Sequence, residues 1–192
     1  MSTPARLLAF SGSIRKASFN RKLIAIAAAA ARAAGAEVTE LDLAEYELPI
    51  YHGDLEAQGM PANARRLKDV FLAHTGLLLS CPEYNSGITP LLKNTIDWVS
   101  RPTPGERPLA GFSGKVAALM SASTGSLGGL RGLLQVRTIL SNIGVLVLPD
   151  QVAVPNAAEA FDAGGALKDA AVHKRIEALA ARAAEVTRKL NA

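Results

Sequence analysis

The 192-residue sequence predicts an α/β fold, an open parallel sheet with helices on both faces. Three observations predict it. Short apolar runs alternate with longer helix-patterned segments along the chain. One run, Gly76-Leu77-Leu78-Leu79-Ser80-Cys81, is apolar almost throughout, as suits a strand buried on both faces of a parallel sheet. Loops rich in Ser, Gly, Pro and Asn follow several of these runs, where connections to helices belong.

In order, residues 6–10 read as strand one, followed by the turn 11–18. Helix one spans about 19–34, rich in alanine, and Gly35 closes it as a C′ residue. Strand two covers about 37–42. The longer loop from Pro49 to Pro61 has the character of a lid or binding loop. Helix two covers about 62–74, with Leu67, Val70 and Phe71 on one face. Strand three runs over 76–81 and stops at Pro82, and the turn 82–90 leads into helix three, about 91–100. A basic connection reaches Gly114, then strand four covers 115–120. The loop 121–129 is small-residue and glycine-rich. Helix four follows at about 130–142 and strand five at 144–148, before Pro149. The last helix, about 167–190, carries Val172, Ile176, Leu179, Ala183, Val186 and Leu190 as a stripe for packing on the sheet, or on a partner helix.

Five strands joined by helices fit the flavodoxin-like order 2-1-3-4-5 in a single domain over residues 1–192. In that order the topological switch lies between strands one and three, and ligands sit at the carboxyl ends of the strands there. Loops 11–20, 82–90 and 121–129 follow strands one, three and four, so all three converge on one crevice.

Composition narrows the function. With 49% apolar and 20% charged residues the chain is globular, and no run is long enough to span a membrane. A strand begins within a few residues of Met1, without a signal-peptide pattern, and Cys81 is the single cysteine, so a cytoplasmic location is expected. The net charge of +4 is unevenly placed. Residues 1–22 hold Arg6, Arg15, Lys16, Arg21 and Lys22 with no acid, whereas the charged residues from Glu37 to Glu56 are all acidic. Aromatics make up only 5%, and no long basic stripe appears, which argues against a nucleic-acid partner. The basic end is better explained as a focused site for a small anion.

Ser11-Gly12-Ser13-Ile14-Arg15-Lys16-Ala17-Ser18-Phe19-Asn20 gives that anion its place. A strand, a hydroxyl-rich turn and a helix N-terminus supply side-chain donors, unpaired N–H groups and partial positive charge. The glycine pattern of a dinucleotide fingerprint is missing, since Gly12 stands alone. The stretch around Gly111-Phe112-Ser113-Gly114-Lys115-Val116 fails the P-loop spacing. One terminal phosphate fits best, and FMN accounts for all three loops. Its phosphate would go to 11–20. Peptide N–H groups of Pro82-Glu83-Tyr84-Asn85 would meet the ring, with Tyr84 beside it. Gly125, Gly128 and Gly129 would let backbone approach closely.

Gly12-Ser13-Ile14-Arg15-Lys16-Ala17-Ser18-Phe19-Asn20-Arg21-Lys22-Leu23 resembles the phosphate loop of the NAD(P)H-dependent FMN reductase family. Pro82-Glu83-Tyr84-Asn85, with Lys93-Asn94-Thr95-Ile96-Asp97-Trp98 after it, resembles the second signature of that family, and Ser123-Thr124-Gly125 with Gly128-Gly129 its third loop. The soluble quinone and chromate reductases are the most similar branch. The resemblance implies FMN as cofactor and NADPH or NADH as hydride donor. It implies quinones, flavins, azo dyes or chromate as acceptors, in a ping-pong cycle, and a homodimer or homotetramer. It places Ser11, Ser13, Arg15, Ser18, Phe19 and Asn20 at the phosphate end. Pro82, Glu83, Tyr84 and Asn85 fall at the ring, and Ser121, Ser123, Thr124 and Gly125 along its other side. The cofactor carries the chemistry, so no catalytic acid, base or nucleophile is expected. A flavodoxin-type electron carrier is the alternative, although such carriers tend to be acidic. A response-regulator module would need an Asp after strand three, where Ser80-Cys81-Pro82 stands.

Among the remaining residues, Cys81 reads as packed rather than redox-active. His52, His74 and His173 are scattered without metal spacing, so no metal site is expected. Glu83 is expected to act through its backbone, its carboxylate solvated or paired to a lysine. Trp98 reads as packing in helix three or at a subunit contact. Arg101 and Arg107 read as solvated charge.

Overall fold

The computed structural model describes residues 4–192. Five parallel strands form the main sheet: β1 (Arg6–Ser11), β2 (Glu37–Leu41), β3 (Gly76–Ser80), β6 (Val116–Ala122) and β7 (Leu146–Val154). Their order is β2-β1-β3-β6-β7. It is the expected 2-1-3-4-5 arrangement, because β4 (Glu83–Tyr84) and β5 (Gly87–Ile88) form a separate small hairpin. The helices are α1 (Phe19–Ala33), α2 (Gly53–Ala57), α3 (Ala62–Leu72), α4 (Pro90–Val99), α5 (Leu130–Asn142), α6 (Ala157–Ala160) and α7 (Ala170–Leu190).

Alternation along each strand divides the core in two. Leu7, Ala9, Leu78, Ala118 and Met120 point to one face, under α1 and α7. Leu8, Phe10, Leu77, Leu79 and Leu119 point to the other, under α3, α4 and α5. The alanine bias of α1 has a packing use: Ala27, Ala28 and Ala31 are fully buried where α1 meets the sheet and α7. Helix α1 ends in a Schellman motif. Ala36 N–H donates to Ala31 O, Gly35 N–H donates to Arg32 O, and Gly35 has φ +84°.

Three boundaries differ from the sequence reading. Strand five does not end before Pro149 but runs to Val154. Pro149 lacks a ladder donor, so the edge strand bulges there, and pairing resumes with Leu119 opposite Gln151. Helix α7 begins at Ala170, where Asp169 accepts from the N–H groups of Ala171 and Val172. It packs on the sheet and α1, but Leu190 is exposed and Thr187 is buried in its place. The loop from Pro49 to Pro61 contains α2 and is strapped to α4 rather than open. Pro49 O accepts from Asn94 Nδ2 (2.9 Å) and Trp98 Nε1 (2.8 Å), and Tyr51 N–H donates to Asn94 Oδ1 (2.9 Å). Trp98 is therefore wholly internal.

The basic connection after α4 is pinned in the same way. Lys68 donates to Arg101 O and Thr103 Oγ1, both at 2.7 Å, and its ammonium lies 2.6 Å from Glu106 Oε2. Lys115 is less well served. It is 6% exposed, has no carboxylate within salt-bridge distance among the described residues, and donates only to His74 O. Burial, reinforced by Arg107 and Arg6, lowers its pKa from 10.5 to about 8. The unfolded chain therefore binds more protons than the folded one between those values, and stability rises with pH across that window. The relief is expected to be on the order of 2 kcal/mol. Urea unfolding of wild type and Lys115→Met at pH 7.5 and pH 10 should show a wild-type gain that the variant lacks. Parallel pH slopes would refute it.

Candidate active site

At the carboxyl edge of the sheet the chain leaves β1 through a turn built on its own hydroxyls. Ser11 Oγ accepts from Ser13 N–H (3.2 Å), and Ser13 Oγ accepts from Arg15 N–H (3.4 Å). Gly12 N–H donates to Ser80 O (2.9 Å), and Gly12 O accepts from Thr89 Oγ1 (3.0 Å). A Cβ at Gly12 would lie 3.1 Å from Leu92 Cβ and 3.2 Å from Pro82 Cδ, so the close approach of this turn to the turn after β3 favours glycine. Ser18 sits extended before α1 and makes no side-chain cap bond. Among the described residues, the backbone N–H groups of Phe19 and Asn20 have no partner. The positive end of α1, the Ser18 hydroxyl and the exposed Arg15 guanidinium therefore face the same opening.

Asn20 has a different job from the one its position suggested. Its Oδ1 accepts from Ser80 Oγ (2.9 Å) and from Ala122 N–H (3.0 Å), while its Nδ2 donates to Ala122 O (2.8 Å). The amide joins α1 to the ends of β3 and β6. Asn20 still contributes its backbone N–H to the crevice.

The segment after β3 is a β-hairpin. Glu83 pairs with Ile88 and Tyr84 with Gly87, across Asn85 (φ +48°) and Ser86 (φ +67°). Two positive-φ central residues make the twisted two-residue turn that suits a hairpin. The Glu83 carboxylate is neither solvated nor paired to a lysine. Its side chain is 8% exposed, accepts from Gly132 N–H (2.8 Å) and meets Arg131 Nη2 (3.1 Å). It thus caps α5 and anchors the hairpin, and its charge is compensated away from the crevice. Tyr84 is 56% exposed at the rim.

The loop after β6 closes the third side. Gly128 and Gly129 serve the chain itself. A Cβ on Gly129 would fall 2.0 Å from Ser121 Oγ, and one on Gly128 would fall 2.6 Å from the Val154 carbonyl carbon. Both have positive φ. Ser121 is wholly buried beneath Gly129.

One cleft of about 190 Å³ gathers Ser13, Arg15, Ser18, Phe19, Asn20, Pro82, Glu83, Tyr84, Ser123 and Thr124, together with Ala122. Four expected residues lie outside its lining. Ser121 is covered by the glycine pair. Ser11 is turned to its own loop and borders a neighbouring cleft with Arg21 and Asp42. Asn85 stands at the exposed hairpin tip, and Gly125 is exposed beyond the lining. Sequence reasoning missed Thr89 and Arg131, which hold the lining turns in place. Thr89 was detectable, because Thr-Pro ahead of an apolar run is an N-cap followed by a first-turn proline. Arg131 carried no such signal.

The other titratable residues lie outside the lining of this cleft. Cys81 is buried, and burial pushes its thiol well above the ordinary range, so it remains a thiol. His52 Nδ1 accepts from Leu55 N–H (3.3 Å) and caps α2. His173 lies 3.4 Å from Glu177. His74 bridges Val70 O and Thr39 Oγ1, and burial lowers its pKa. Arg101 lies over the Tyr51 ring at 4.8 Å and donates to the Tyr51 hydroxyl, so it is part of the strap.

Residues 5–159 match the family model described as NADPH-dependent FMN reductase. An NAD(P)H-dependent FMN reductase of Pseudomonas aeruginosa is 37% identical over 173 residues, covering 88% of each chain. A quinone reductase of Escherichia coli is 33% identical over 149 residues, covering 77% of this chain and 76% of its own. Among solved structures, FerB, a flavoenzyme NAD(P)H:(acceptor) oxidoreductase from Paracoccus denitrificans, superposes with a TM-score of 0.81 at 27% identity. The match covers 99% of this chain and all of FerB. With its flavodoxin-like sheet and a three-loop crevice at the switch point, the chain belongs to the NADPH-dependent FMN reductase family, enzymes that draw on NAD(P)H and use FMN.

Proposed function

We propose that this enzyme binds FMN in the cleft between the loops after β1, β3 and β6, and uses NAD(P)H to reduce small two-electron acceptors, quinones foremost. The observation that carries the reading is the donor set of that cleft. Unpaired N–H groups of Phe19 and Asn20, the Ser18 hydroxyl and Arg15 converge there. The one carboxylate in the lining, Glu83, is neutralised elsewhere. Such a set fits a phosphate.

These residues would hold the phosphate end, and the hairpin with Tyr84 and the Ser123–Thr124 backbone would flank the ring. When bound, FMN supplies hydride acceptance from NAD(P)H and two-electron delivery to the acceptor. The chain itself orients and shields. Its helix terminus stabilises negative charge, and the hairpin, locked to α5 through Glu83, keeps one wall rigid. One crevice serving donor and acceptor in turn accounts for a ping-pong order. Free flavins, azo dyes and chromate are further acceptors of the same class. Leu127, Leu130 and Leu134 expose apolar surface on and just before α5, which itself packs on the hairpin, and this supports a homodimer or homotetramer. A single domain and a cytoplasmic setting complete the reading. No helix among the described residues is long and apolar enough to cross a membrane.

The purified protein should be yellow or turn yellow with FMN. It should oxidise NADPH or NADH steadily when a quinone is added, with parallel double-reciprocal plots. A protein that stays colourless and inactive with FMN present would remove the proposal, and turnover only with a separate reductase would favour an electron carrier.

A further inference from the structure

At the opposite, amino edge of the sheet lies a second pocket of about 250 Å³, lined by His74, Thr75, Arg107, Ser113, Lys115 and Asn191 with neighbouring small or apolar residues. No Asp or Glu lines it. Lys115 enters it from the start of β6 and Arg107 from the loop before it, while Arg6 at the start of β1 adds a third cation to the same electrostatic neighbourhood. Burying an ammonium without a counter-charge is costly, and proteins normally pair it.

The bland explanation is that these cations offset the carbonyl ends of the helices, which point to this edge. It accounts for one contact, Lys115 to His74 O just beyond α3. An ammonium has three N–H donors. Among the described residues, the other two have no partner, and the cavity lies against them. Arg107 is held at the rim by one bond, Nη2 to Ser113 O (2.8 Å), which leaves most of its donors unused. The volume has room for about eight waters, ample for a tetrahedral oxyanion.

We propose that this pocket binds a small oxyanion of the phosphate or sulfate class, held by Lys115 and Arg107. The site is separate from the flavin cleft and does not rest on the reading of that cleft. Its charge pattern also differs, since the flavin cleft combines a helix N-terminus with Arg15 and this one has side-chain cations alone.

The test is a thermal-unfolding titration of the FMN-loaded protein with potassium phosphate or sulfate, against potassium chloride at matched ionic strength. A saturable rise in Tm beyond chloride is expected. Arg107→Gln, at an exposed residue, should weaken phosphate binding about tenfold or more. Lys115→Met should do the same, whereas Arg15→Ala, at the other end of the sheet, should leave this response in place under saturating FMN. No saturable effect beyond chloride would overturn the proposal. So would a response lost in Arg15→Ala but retained in Arg107→Gln, because the anion would then sit in the flavin cleft.

Discussion

Asn20→Ala is expected to destabilise the fold by about 3–5 kcal/mol, because three buried hydrogen bonds disappear together and leave their partners orphaned. Ser80 Oγ would lose its acceptor, and both the N–H and the O of Ala122 would lose their partners, at the ends of two central strands where little water reaches. The loss comes mainly from those stranded groups rather than from the amide itself. Asn20→Asp keeps an acceptor for Ser80 and for Ala122 N–H but sets a carboxylate oxygen against Ala122 O, so it should also be destabilised. Urea denaturation monitored through Trp98 checks both. A change below about 1 kcal/mol for the alanine variant would mean that the amide does not clamp the three elements.

Arg15→Ala should leave stability nearly unchanged, since Arg15 is exposed and its guanidinium makes no hydrogen bond among the described residues. Its effect belongs to binding. If its guanidinium meets the FMN phosphate, removing it deletes a charge-assisted hydrogen bond of roughly 1.5–3 kcal/mol, a ten- to hundredfold loss of FMN affinity. Riboflavin, which lacks the phosphate, supplies the control. Fluorescence titrations should show the loss for FMN and little change for riboflavin. Equal changes for the two flavins, or none, would place the phosphate elsewhere. Taken together, the two variants separate a residue that builds the cleft from one that is available to a ligand.

Asn20 and Arg15 stand five positions apart, one in the first turn of α1 and one in the loop before it, and looked alike in the sequence, both polar donors after a strand. The loop was legible because its signals are local: small hydroxyl residues, one glycine and an apolar helix behind them. The hairpin at 83–88 was legible only as a turn. Its Asn85-Ser86 centre is a less obvious pair than Asn-Gly, and its anchor, the Glu83 bond to Gly132 N–H, depends on a helix that starts beyond the next strand. The glycine pair 128–129 was legible as a close approach, but the approaching partners are Val154 and Ser121 of the chain itself.

From its sequence alone, the protein's parallel sheet, its strand order and the convergence of three loops at one switch point are determined, since these follow from hydrophobic period, strand burial and the handedness of crossover connections. What only the tertiary structure decided is which polar groups at that point remain available. Asn20 and Glu83 are consumed by partners between 48 and 102 residues away, while Ser18 and Arg15 are not. Hydrogen-bonding capacity is finite, and its allocation is settled by packing across the sheet.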